Sequence, residues 1–118
     1  MAVPTGDWAI NANGWHGALH LLDDGDGSVS GTIDFGDGPE PVKGVWDESA
    51  QQLIFARSNG AQNYTGFWFE NTGNMFMGQG GPSGTPNFRV LAGNFDDVRS
   101  TQPFGRARFG WAARQATS

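Results

Sequence analysis

The chain has 118 residues, twelve acidic side chains against seven basic ones, a formal net charge of −5 at pH 7 and no cysteine. That length makes one domain, residues 1–118, with a single core. The acidic balance argues against nucleic acid and anionic membranes as partners, and the missing cysteines exclude disulfides, a thiolate nucleophile and a cysteine-ligated zinc.

No 18-residue apolar run is present to span a membrane as a helix. The first residues, Met1-Ala2-Val3-Pro4-Thr5-Gly6, lack a charged region followed by an apolar one, which leaves the compartment open: cytoplasmic, or secreted after processing. In chain order, Asp7–Ala12 is a predicted strand and Asn13-Gly14 a two-residue hairpin turn. Trp15–Leu22 follows, with Trp15, Gly17, Leu19 and Leu21 on one face and His16, Ala18 and His20 on the other. Asp23–Gly27 is a turn cluster. Ser28–Phe35 alternates, with Val29, Gly31, Ile33 and Phe35 on the apolar parity. Pro41–Asp47 puts Val42, Gly44 and Trp46 inward. Gln52–Arg57 and Asn63–Glu70 form another hairpin. Asn74–Gln79 and Asn87–Phe95 are further strands around a breaker-rich rim loop, Gly80–Pro86, and Phe104–Trp111 is a ninth candidate.

One phrase recurs six times: an apolar residue, a spacer, glycine, a spacer and usually a second large apolar residue, as in Val29-Ser30-Gly31-Thr32-Ile33 and Tyr64-Thr65-Gly66-Phe67-Trp68. Glycine inside a strand weakens it, so its repetition points to bends or to close backbone approach. Short connections and strand-by-strand bending predict an all-β fold: an eight-stranded antiparallel up-and-down β-barrel.

The chemistry-bearing residues are few. His16 and His20 sit four apart on one strand face, about 13 Å along it, too far for one zinc. The acidic run beginning at Asp23 lacks a calcium loop's spacing: counted from Asp24, the sixth residue is Val29 and the twelfth Phe35. No metal, cofactor or catalytic residue is predicted, and nothing in the sequence demands an enzyme. Arg57 shares parity with Leu53 and Phe55, and the hairpin sets it beside Tyr64 at one barrel end, with Glu70 toward the other. An Arg–Tyr pair grips a carboxylate or carbonyl, or else caps the mouth against water. Trp8, Trp15, Trp46 and Trp68 fall on the interior parity, which fits either an aromatic-walled pocket or a filled core. Trp111 lies outside that set, at a subunit contact.

The glycine phrase resembles the avidin–streptavidin family. Val42-Lys43-Gly44-Val45-Trp46-Asp47-Glu48-Ser49-Ala50 is the nearest match, and Gly6-Asp7-Trp8 is similar to the Gly-x-Trp that begins avidin and lipocalin barrels. The resemblance implies an eight-stranded barrel with a small ligand in its lumen. It also implies a homo-oligomer joined through an outer face, for which Phe67, Phe69 and Phe95 are suited. Where biotin-binding members place a Tyr and a Ser after the second glycine phrase, this chain has Ile33 and Phe35; where they place a polar residue two after the first Trp, it has Ile10. Weak or absent biotin binding is expected, and a more apolar ligand.

The first functional expectation is therefore a non-enzymatic binding protein. Its ligand is small and largely apolar or aromatic, held by Trp8, Trp46, Trp68, Phe55, Ile33, Phe35 and Glu70, with Tyr64 and Arg57 at the mouth. The alternatives are a lectin-like carbohydrate-binding module, with surface Trp and loop Asn, and a small barrel enzyme that shapes an apolar substrate.

Overall fold

The computed structural model describes residues 3–57, 60–71, 87–97 and 107–117; of these, 70, 71, 87, 88, 107, 116 and 117 are described by their backbone alone. Eight strands follow one another: β1 (Gly6–Ala12), β2 (Trp15–Gly25), β3 (Ser28–Asp34), β4 (Glu40–Asp47), β5 (Gln52–Arg57), β6 (Gln62–Asn71), β7 (Asn87–Asp97) and β8 (Ala107–Thr117). Each pairs antiparallel with the next, and β8 returns to β1 from Ala9 opposite Arg114 to Ala12 opposite Trp111. The sheet is a closed barrel, which leaves no exposed edge.

Two tight turns have the backbone geometry that their residues favour. Asn13 and Gly14 both have positive φ, 51° and 92°, the geometry that keeps a two-residue turn in step with the twist of its strands. Asp26 and Gly27 repeat it at 55° and 81°. The acidic cluster before them is mostly strand, since β2 runs on to Gly25 through an irregularity between Asp23 and Gly25. The strand offered as a ninth is the eighth, and it extends past Trp111 to Thr117. β6 pairs directly with β7, from Gln62 opposite Asp97 to Asn71 opposite Phe88. The expected strand Asn74–Gln79 and loop Gly80–Pro86 lie outside the described residues.

Strand alternation puts one parity of each strand inside. Trp8, Ile10, Leu19, Leu21, Ile33, Val42, Leu53, Tyr64 and Leu91 are all buried. Among the described residues, the phrase glycines Gly17, Gly31, Gly44, Gly66 and Gly93 share that parity, and three of them set the girth of the barrel. A Cβ on Gly31, Gly44 or Gly93 would overlap the carbonyl oxygen of His20, Ile54 or Thr65 on the neighbouring strand. Each glycine thus marks a place where two strands close in.

Three aromatic side chains depart from expectation. Trp15 is 70% exposed, because it opens β2 opposite Ala12, the last residue of β1, and so stands on the hairpin tip past the barrel wall. Phe95 points inward; it shares parity with Leu91 and Gly93, and stacks on Tyr64. Trp111 is also interior. Its ring fills the space that a side chain at Gly66 would occupy, and its indole N–H donates to the carbonyls of Thr65 and Asn94, both at 3.1 Å.

Candidate functional site

The interior aromatics form two separate groups. At the base, the barrel end that carries the β4–β5 turn, Trp68 meets Trp8 and Trp46 edge-on, with centroids 5.9 and 6.5 Å apart. Trp46 donates its indole N–H to Glu48 at 2.8 Å, and Arg89 lies over the Trp68 ring at 5.9 Å. The Trp68 backbone N–H reaches the Gln51 carbonyl in that turn at 2.9 Å.

Toward the mouth, the end formed by the β1–β2, β3–β4 and β5–β6 connections, Phe55, Tyr64 and Phe95 make a continuous stack. Centroids are 4.7 and 4.6 Å apart and the rings lie within 14° of parallel. Neighbouring strands carry these three rings, Phe55 opposite Tyr64 and Tyr64 opposite Phe95. Trp111 stands edge-on to the stack, 5.6 Å from Phe55 and 5.8 Å from Tyr64.

Above the stack opens a cavity of about 240 Å³, lined by Trp15, Phe35, Arg57, Gln62, Tyr64 and Phe95, with Ala12 and Asp37 at its edge. Its polar groups are tied to one another. Tyr64 donates its hydroxyl to Gln62 Oε1 at 3.1 Å, and Gln62 donates Nε2–H to Asp97 at 2.9 Å. The Arg57 guanidinium lies 5.1 Å from the centre of the Phe35 ring and pairs with Glu40 at 3.3 Å. Its Nε–H is buried without a partner. Burial pushes the Tyr64 phenol above its ordinary pKa, although the neighbouring Arg57 charge pulls the other way.

The nine sequence candidates divide along this line. Arg57, Tyr64 and Phe35 line the cavity, and Phe55 supports Tyr64 from below. Ile33 is a core residue. Trp8, Trp46 and Trp68 pack together at the base. Glu70 stands opposite Arg89 in register, and its side chain lies outside the described residues. His20 sits on the outer wall, where Nδ1 is 2.6 Å from Asp7. The mouth also holds residues outside those candidates, among them Trp15, Glu40, Gln62, Phe95 and Asp97. Parity was the available signal, since Glu40 is in step with Val42, Gly44 and Trp46, and Gln62 with Tyr64, Gly66 and Trp68.

The fold and site define a class: a small closed antiparallel barrel with one aromatic-floored mouth. No family model matches the chain, and no curated protein or solved structure is significantly similar to it.

Proposed function

We propose that this protein is a non-enzymatic binding barrel that holds one small, largely apolar or aromatic ligand at its mouth. The observation that carries this reading is the cavity above the Phe55–Tyr64–Phe95 stack, where a flat aromatic floor meets one cation, Arg57, beside the exposed ring of Trp15. Such a site supplies area and orientation to a ring compound. The cavity is below the about 300–1,000 Å³ of drug-sized sites, which suits a ligand of one or two rings. Among the described residues at the mouth no nucleophile is paired with a base, so binding is the reading favoured over catalysis.

An avidin-like relationship is part of the same proposal, supported by the closed eight-stranded barrel. Burial of the apolar Ile33, and Phe35 at the mouth, favour a ligand less polar than biotin. The partner is a second copy of the chain. Val45 lies opposite Ile54, and Phe67 opposite Ala92 and Phe69 opposite Val90, so two apolar patches sit on the outer wall, one on β4–β5 and one on β6–β7, with Thr65 opposite Ile54 and Gln52 opposite Phe67 between them. The phenylalanines of the β6–β7 patch are 43% and 54% exposed. Exposed apolar patches of this kind are suited to a self-complementary two-fold contact.

A carbohydrate ligand is the second reading. Trp15 favours it, as an exposed indole lining the same cavity as Asp37. Native mass spectrometry of the purified protein tests both. A retained mass of a few hundred daltons per subunit on a dimer or larger oligomer is the expected result. A bare monomer that binds only sugars in an array overturns the first reading in favour of the second.

A further inference from the structure

We infer that Glu40 sets the charge selectivity of the mouth, making the cavity a site for uncharged aromatic ligands and turning aromatic carboxylates away. This rests on the mouth being the ligand site, as proposed above. Among the described residues Arg57 is the one cation lining the cavity. An arginine with free N–H groups is a fork for carboxylate and would make an apolar cavity a receptor for aromatic acids. Here Glu40 takes part of that fork and offsets its charge, while the buried Nε–H stays without a partner. Glu40 opens β4 opposite Ile33, on the parity that Val42 and Trp46 carry inward, and reaches Arg57 at 3.3 Å.

The two side chains are 19% and 32% exposed, so their attraction is less screened than that of a surface pair. Phe35 closes the guanidinium from another side. A ligand carboxylate entering here meets a cation already neutralised and has Glu40 as a like-charged neighbour. Asp37 at the cavity edge and Asp97 behind Gln62 add to the repulsion. An amide of the same shape meets no such opposition, and Tyr64 and Gln62 offer it neutral hydrogen-bonding groups.

The test uses a matched probe pair, 2-naphthamide and 2-naphthoate, titrated calorimetrically into the full chain at low salt. The wild type is expected to bind the amide at least about tenfold more tightly than the acid. Glu40→Gln should shift that ratio toward the acid by about tenfold or more, and added salt should reduce the gain. Glu40→Asp, which keeps the charge, should retain the wild-type preference. In an Arg57→Gln background, Glu40→Gln should move the ratio by less than it does in the wild type, because only the like-charge repulsion is then relieved and no guanidinium is released to the ligand. If both probes bind and Glu40→Gln leaves their ratio unchanged, Glu40 has no selective role while the binding reading stands. If neither probe binds any variant, the mouth is not the ligand site and the inference falls with it.

Discussion

The base and the mouth of this barrel are both aromatic, yet they are built differently. At the base three indoles meet edge to face, two of them buried, and they close that half of the lumen. At the mouth the rings lie flat on one another, and above them a chain of polar side chains runs from Asp97 through Gln62 to Tyr64, with the Arg57–Glu40 pair alongside. Edge-to-face packing fills space in three directions, whereas a flat stack leaves a surface on which something else can lie. The contrast separates a region whose rings fill the lumen from one whose rings leave a flat aromatic surface bare.

The sharpest way to break the contrast is at the base. Trp8→Ala should cost about 3–5 kcal/mol in urea unfolding, a large share of a domain's usual total, while the protein that remains folded binds 2-naphthamide normally. A loss of binding with stability kept would make the base part of the site. Gly66→Ala comes next. Its methyl would press on the Trp111 ring, and the overpacking should cost about 1–3 kcal/mol and alter the near-ultraviolet circular dichroism.

Tyr64→Phe should have a smaller effect, about 0.5–1.5 kcal/mol, from the lost bond to Gln62. It also carries a pH signature. The unfolded phenol ionises near pH 10, while the folded one holds its proton to higher pH. The stability linked to Tyr64 is therefore intact below pH 10 and declines as pH rises toward the raised folded value. Tyr64 is the chain's single tyrosine, so tyrosinate absorbance reports it alone. Ionisation should lag behind that of free tyrosine, and the phenylalanine variant should lose the alkaline slope. Trp15→Ala should be the mildest for stability, within about 0.5 kcal/mol, yet should weaken probe binding. Iodide should strongly quench Trp15 while sparing Trp8, Trp46 and Trp111.

Much of the fold was legible because alternation and turn chemistry agree. Asn13-Gly14 needs positive φ at both positions and has residues that tolerate it, and Gln52–Arg57 appears with the bounds its pattern predicts. The site was legible only in part. Arg57 and Tyr64 could be brought to one mouth from the length of a single hairpin. Phe95 shares the parity of Leu91 and Gly93, yet assigning that parity to the lumen required knowing that β7 packs directly on β6. Trp15 obeys its strand's parity but stands beyond the wall, and parity says nothing about height along a barrel. Trp111 could not be placed before Gly66 was known to face it, since that contact joins residues far apart in sequence.

The closely packed glycines also bear on how such a chain can change over generations. Gly31, Gly44 and Gly93 admit no side chain, because the next strand's backbone occupies the space. The inward residues that flank them, such as Ile33 and Phe95, carry no such steric veto from a neighbouring backbone. Substitution is thus channelled away from the girth of the barrel and into the contents of its lumen, so a lineage can vary the lining while its frame stays constant.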